Sequence, residues 1–226
     1  MHNYSILIPI HNEARFIPAL LMSLQGYKNE GHEIVIIDDG STDGSTEILE
    51  SSKGIKLIKI RKNRGKGYAI KKGLINANYD KILLYDGDME LDPSYISKIM
   101  ILNKKNNINY VMGYRFQSLS PLKSNFDWGN FMFTSFFNIF FSSNHKDILC
   151  CAKAFYISDL KKYNIISNGF DIDIELASFF TILNKKVKIS QVLLNYSRRT
   201  TKEGKKLKVS DGWIILLRII KMFRYF

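Results

Sequence analysis

The chain has 226 residues, 46% of them hydrophobic and 24% charged, a length and balance that suit one globular domain with a full core. Its 33 Lys and Arg against 21 Asp and Glu leave a formal net charge of +12, which implies an anionic partner: nucleic acid, a membrane surface or a phosphorylated substrate. The two cysteines are neighbours, Cys150 and Cys151, which excludes a disulfide framework and leads us to expect free thiols in a reducing compartment.

In chain order, the opening "MHNYSILIPIHNE" places polar and charged residues where a signal peptide needs an apolar run. Residues 4–8 read as a short strand stopped by Pro9, and Ile17, Leu20, Leu21 and Leu24 then recur at helical spacing. Residues 33–39, "EIVIIDD", read as a second buried strand ending in carboxylates, followed by the turn "GSTDGST" and a short helix. Residues 55–60 alternate with lysines as a half-exposed strand. Ile70, Gly73, Leu74 and Ala77 give the next helix one apolar face. A fourth strand spans residues 81–85, with a further helix expected after Pro93. Four alternations of strand and helix argue for an α/β domain with a largely parallel sheet.

Past Asn109 the pattern loosens. "YVMGYR" reads as a strand, the aromatic stretch 126–141 as a helix, and "VKISQV" as a last strand. Residues 172–183 read as a helix with Ile172, Leu176, Phe179, Phe180 and Leu183 turned inward. Neither the aromatic stretch nor residues 211–226 reaches the roughly 20 apolar residues that a bilayer-spanning helix needs. In the latter, Arg218, Lys221 and Arg224 recur every three residues, a helical stripe of cations suited to a membrane interface.

The stretch "KILLYDGDMELDP", residues 81–93, carries the chemical question. A buried strand here ends on Asp86 and Asp88, held apart by Gly87. Two carboxylates so close raise each other's pKa unless a cation intervenes. Gly87, lacking a side chain, would let a ligand approach the backbone between them. An Asp-Gly turn and a divalent cation on hard oxygen ligands are both compatible with these residues. In parallel sheets ligands bind beyond the carboxyl ends of the strands, so Asp38 and Asp39 are expected to share one cleft with Asp86 and Asp88. Familiar phosphate loops do not apply: "RGKGYA" offers only G-x-G.

Taken together and in order, "IPIHNE", "IIDDGSTDGST", "NRGKGYAIKKG" and "YDGDMELDP" resemble the family 2 glycosyltransferases. Within that family they are similar to the dolichyl-phosphate mannosyltransferase and polyprenyl-phosphate glycosyltransferase branch. The likeness continues through "GYR" at 113–115, "KDILCCAKAF", "GFDIDIEL" and "YSRRTTKEGKKLK", and so covers essentially the whole chain. His11, where the branch usually has tyrosine, and Cys151-Ala152, where it usually has glycine or a small residue, depart from the pattern beside the expected site.

The resemblance implies a single nucleotide-sugar-binding α/β domain of the glycosyltransferase A type. Its mostly parallel mixed sheet would be flanked by helices and joined by an interfacial aromatic helix and a C-terminal amphipathic one. Residues 1–210 are expected to form the catalytic domain and 211–226 a basic helix on the membrane surface. The same resemblance assigns Asp86, Asp88 and Glu90 to a Mg²⁺ or Mn²⁺ ion that holds the donor diphosphate. Pro9, Asn12 and Glu13 fall to the ribose and base edge, Asp39 to a base N–H with Asp38 either behind it or capping the turn, and Lys66 to the diphosphate. On the acceptor side it points to Arg115, Arg198, Arg199 and Lys206, with Asp147 in the catalytic centre and Glu175 orienting an arginine. The implied reaction is metal-dependent, inverting transfer of a sugar, mannose from GDP-mannose, onto dolichyl or polyprenyl phosphate at the cytoplasmic face of a membrane. UDP-glucose or another nucleotide-sugar is the alternative donor. The implied partners are the nucleotide-sugar, the lipid phosphate and an anionic membrane surface, with room for a separate membrane-anchor subunit and no nucleic acid. A non-catalytic basic protein binding nucleic acid or membrane would account for the charge but not for carboxylates ending buried strands.

Overall fold

A computed structural model of the chain describes residues 3–116, 125–161, 163–183, 189–199 and 211–224, the side chains of 125–127 excepted. Its strands are β1 (Tyr4–Ile10), β2 (Glu33–Asp38), β3 (Lys56–Lys59), β4 (Lys81–Leu84), β5 (Tyr110–Tyr114), β6 (Lys153–Tyr156) and β7 (Ser190–Leu193). They form one sheet in the order β3-β2-β1-β4-β6-β5-β7. The four strands of the N-terminal half pair in parallel, as do β5 and β7, while β6 runs antiparallel to both β4 and β5. The sheet is therefore mixed and mostly parallel, as the alternation of strand and helix implied.

Strand alternation divides the core. Ile6, Ile8 and Ile10 of β1 pack with Ile17, Leu20 and Leu24 of α1 (Ile17–Asn29), Leu49 of α2 (Ser45–Glu50) and Ile96 of α4 (Ile96–Ile99). Leu7 points the other way, towards Ile70 and Leu74 of α3 (Lys66–Asn76), Phe137 of α5 (Asn125–Phe140), Leu160 of α6 (Ile157–Leu160) and Leu176 of α7 (Ile172–Leu183). That second layer is closed by α8 (Asp211–Phe223), which contributes Ile215, Ile219 and Met222 to the same core and sets the Phe223 ring, tilted, 5.2 Å from that of Phe140.

Three local expectations change. After Pro93 a 3₁₀ turn, Pro93–Tyr95, leads into the single turn of α4 rather than a full helix. β6 was absent from the sequence reading, because Lys153 interrupts its apolar run; that lysine is fully buried. The cationic stripe of α8 also divides: Lys221 and Arg224 are exposed, but Arg218 turns inward and its Nη2 lies 2.6 Å from Asp171. What α8 shows to solvent is mainly apolar, with Trp213, Ile214, Leu217 and Ile220 exposed.

The parallel half sets the functional edge. Ile10 pairs in register with Asp38 and Leu7 with Leu84. The chain leaves β1, β2 and β4 at the same side of the sheet, where a cleft of about 380 Å³ opens.

Candidate active site

The β4 exit forms the acidic floor of that cleft. Gly87 has a different use from the one its lack of side chain suggested: a Cβ there would stand 2.5 Å from Ile10 and 3.1 Å from Ile8. The glycine is demanded by the packed sheet beneath it, and it lets Asp86 and Asp88 diverge above. Asp86 Oδ2 receives Lys66 Nζ at 3.0 Å. Lys66, at the start of α3, reaches equally to Asp173 Oδ2 at 3.0 Å, and the other oxygen of Asp173 takes Lys153 Nζ at 3.1 Å. The result is a line of alternating charge, Asp86–Lys66–Asp173–Lys153, running from the cleft into the core. Burial alone would raise the Asp173 carboxyl, but Lys153 and Lys66 hold it below its ordinary value. Burial likewise disfavours the Lys66 cation, yet Asp173 and Asp86 keep it well above the usual lysine range.

Asp88 lies on the other side of Gly87. Burial, then the charges of Asp86 and Glu90, push its carboxyl up to about 6. Arg199 opposes that rise. Its Nη2 is 3.1 Å from Asp88 Oδ2, and Nη1 and Nη2 reach the two oxygens of Glu13 at 2.9 and 3.3 Å. Among the described residues no three His, Cys, Asp or Glu side chains are gathered as a metal cluster. Glu90 is drawn away to the chain opposite: its Oε1 accepts the Arg199 backbone N–H at 3.0 Å and its carbonyl accepts that of Ser197 at 2.8 Å. Asp86 and Asp88 still fit a divalent cation of the Mg²⁺ type, which takes one or two carboxylates and completes its shell with substrate phosphates. Their mutual repulsion is what such an ion would relieve.

The basic wall is built from β5 and the chain after β7. Arg115 makes a side-on fork with Asp147, Nε to Oδ2 at 2.8 Å and Nη2 to Oδ1 at 3.0 Å, and its backbone N–H adds a third bond at 3.2 Å. Asn130 of α5 donates to Asp147 Oδ1 at 3.0 Å. Burial works against the Arg115 cation, but Asp147 beside it raises the guanidinium well above its usual range. Arg198 departs from its neighbour, with Nε 3.3 Å from the Tyr196 hydroxyl, while Arg199 faces the acids.

Of the donor-side expectations, Pro9, Glu13, Asp39, Lys66, Asp86 and Asp88 all line the cleft. Both oxygens of Asp39 hold the Gly-Lys-Gly loop, accepting from the backbone of Arg64 at 2.9 Å and Gly65 at 2.7 Å. Gly65, at φ +96°, is pressed on the Asn168 carbonyl, so this loop admits no side chain there. Asp38 and Asn12 are engaged in the turns that border the cleft, Asp38 as its alternative reading had it. Asp38 caps its own turn, accepting from Ser41 N at 3.0 Å and from the Thr46 hydroxyl. Asn12 accepts from Thr42 N at 2.7 Å and stands outside the cleft. The Glu175 carboxylate receives the backbone N–H groups of Ile166 and Ser167 at 2.9 and 2.7 Å. Lys206 lies outside the described residues.

Sequence reasoning missed Asp173 and Lys153 as site residues, and with them Asn130 and Tyr196. Asp173 was legible only as one of three acids in "GFDIDIEL", and α7 is buried all round from Ile172 to Phe180, so periodicity could not single it out.

A mostly parallel sheet with an acidic strand-end cleft facing a basic wall is the architecture of the glycosyltransferase A type. Crystal structures of glucosyl-3-phosphoglycerate synthase from Mycobacterium tuberculosis share it. One of them, holding Mn²⁺, UDP and glucosyl-3-phosphoglycerate, superposes with a TM-score of 0.76 at 17% identity over 98% of this chain and 80% of that one. The chain belongs to glycosyl transferase family 2, whose profile matches residues 5–165. It is 32% identical over 128 residues, 49% of its length, to dolichyl-phosphate beta-glucosyltransferase of Dictyostelium discoideum, and spans 39% of that protein. It is 28% identical over 223 residues, 96% of its length, to glycosyltransferase AglJ of Haloferax volcanii, spanning 70% of it.

Proposed function

We propose that the chain transfers a sugar from a nucleotide-sugar to a polyprenyl or dolichyl phosphate, with inversion at the anomeric carbon, at a membrane surface. What supports this reading is an acidic strand-end floor facing a guanidinium wall across one cleft, which α5 and α8 also line through Asn130 and Ile215 while carrying exposed apolar side chains. On the donor side, Lys66 faces the leaving diphosphate as a point charge already paired with Asp86 and Asp173. A divalent cation held by Asp86 and Asp88 would supply Lewis-acid neutralisation of that leaving group.

On the acceptor side the chemistry needs little proton transfer. A phosphate monoester has its second pKa near ~6 and is an anion at neutral pH, so it attacks without a strong general base. Arg115, oriented by Asp147 and Asn130, grips it as a planar fork and offsets its repulsion from the donor. The membrane face is supplied by α5 and α8, where Trp128, Ile139, Trp213 and Leu217 are exposed beside Lys221 and Arg224. Among the described residues no helix is long and apolar enough to cross a membrane.

Mannose is the sugar that the sequence resemblance implies, whereas the Dictyostelium relative is named for glucose. The reaction class is the proposal, and the sugar is what the experiment reads. A panel of GDP- and UDP-sugars is offered with a short polyprenyl phosphate, with the matching polyprenol, and with and without EDTA. Transfer to the phosphate ester from one donor, abolished by EDTA, is expected. Equal transfer to the polyprenol would sink the acceptor assignment, and full activity in EDTA would sink the metal.

A further inference from the structure

Arg199 stands where a bound metal would place its charge. Its guanidinium touches Glu13 with two nitrogens and Asp88 with one, and Nε lies 3.9 Å from Glu90. We infer that Arg199 is an exchangeable counter-ion for the metal seat: it holds Asp88 while no cation is bound, and a divalent cation arriving at Asp88 displaces it. This inference rests on the metal reading proposed above.

The other cations of the cleft are built to stay. Lys66 is held between two carboxylates, one of them deep in the core, and Arg115 is locked in a three-point grip on buried Asp147. Arg199 has a looser hold. Its Nε has no hydrogen-bond partner among the described residues, and every ion pair described for its side chain is with the acidic floor. Its backbone, by contrast, is pinned: the Arg199 N–H to the Glu90 carboxylate at 3.0 Å, the Ser197 N–H to the Glu90 carbonyl at 2.8 Å. The residue is anchored at its Cα, and its side chain is held by carboxylates that border the cleft and by the Phe16 ring. A divalent ion and a guanidinium compete for the same Asp88 oxygen, since like charges a few ångströms apart repel in a partly dry cleft. The side chain that yields is the one with the single contact to Asp88 and a second carboxylate, Glu13, to retain it. Nη2 keeps its contact with Glu13 and turns the N–H released from Asp88 to the cleft, where an acceptor phosphate can take it.

The test is made on the full chain carrying ¹⁵N-labelled arginine. The Nε–H signal of Arg199 is assigned by its loss in Arg199→Lys, and Mg²⁺ alone is titrated. The signal is expected to shift as Mg²⁺ saturates, and Arg199→Gln is expected to bind Mg²⁺ about tenfold or more tightly than the wild type by calorimetry, since its competitor is gone. If Mg²⁺ binds the wild type while the Arg199 signal stays in place, or if Arg199→Gln binds no more tightly, the exchange is wrong and the metal reading survives. If neither protein binds Mg²⁺ or Mn²⁺, with or without GDP or UDP, both fall together.

Discussion

The two halves of the molecule handle charge in opposite ways. In the parallel half, β1 to β4, acids stand at strand ends where the sheet itself puts them in one row. In the mixed half, β5 to β7 with α5, α7 and α8, the buried acids Asp147, Asp171 and Asp173 are matched to cations far away in sequence: Arg115, Arg218 and, across 107 positions, Lys66 of α3. The first half presents charge to a ligand, while the second largely neutralises its own. That difference explains why only the first kind of site can be seen in a sequence. A buried run ending in "DGD" predicts its own location, because the strand and its terminus are local facts. The choice of Asp173, rather than Glu175, as the partner of Lys66 is a fact of packing. Glu175, two residues along the same buried helix, holds backbone amides instead. β6 escaped notice for a related reason: its buried lysine is tolerable only because Asp173 and the Cys150 carbonyl wait for it.

The largest effect expected from this contrast is on stability. Asp173→Asn leaves Lys66 and Lys153 facing each other inside the core without their shared anion. Losing one partner of a buried pair costs about 3–5 kcal/mol, so the variant should lose that much in denaturant melts. Lys59→Ala, which breaks the exposed, solvent-screened pair with Glu50 at the far edge of the parallel half, should leave the melting midpoint nearly unchanged. A comparable loss in both would erase the distinction between the halves.

A second test uses pH. His145 is buried beside α5, and its Nε2 lies 2.8 Å from the Thr181 hydroxyl. That hydroxyl donates to the Ala177 carbonyl at 2.7 Å, so Nε2 must be the donor to it and Nδ1 is left bare, with no partner among the described residues. Burial first, then the Lys153 charge, hold the imidazole down to about 4 from an ordinary 6.5. The folded state therefore resists a proton that the unfolded chain accepts. Stability is full above the unfolded value and falls as pH drops from about 6.5 to about 4, by about 3 kcal/mol in all. His145→Gln should remove that component of the acid slope. An unchanged slope in the variant would place the acid sensitivity elsewhere.

Within the cleft, Arg115→Lys separates the walls. Lysine keeps a charge near Asp147 but loses the fork, which should raise the KM for lipid phosphate about tenfold, roughly 1.4 kcal/mol. Binding of GDP or UDP should change little, because the contacts of Arg115 are with Asp147 and the aromatic rings of Phe116 and Tyr196, none of them on the acidic floor. Equal losses for nucleotide and acceptor would show that the walls are not separate subsites.

The smallest effect concerns the outer face of the mixed half. Trp213 and Leu217 are 72% and 65% exposed on α8, one turn apart, with no contact to the acidic floor. Carrying such side chains into the headgroup region transfers part of their apolar area from water, worth on the order of 1 kcal/mol each when partly inserted. Each exposed cation near an anionic surface adds about 1 kcal/mol, and Lys221 and Arg224 are placed to do so. Arg218 is not, since its charge is spent on Asp171. Trp213→Ser and Leu217→Ser should each weaken flotation with anionic vesicles several-fold, and Lys221→Gln should weaken it at low salt but not at high salt. Turnover on a short, water-soluble polyprenyl phosphate should stay at the wild-type level in all three. If flotation is unaffected while the core stays intact, the apolar face of α8 meets a protein rather than a lipid surface.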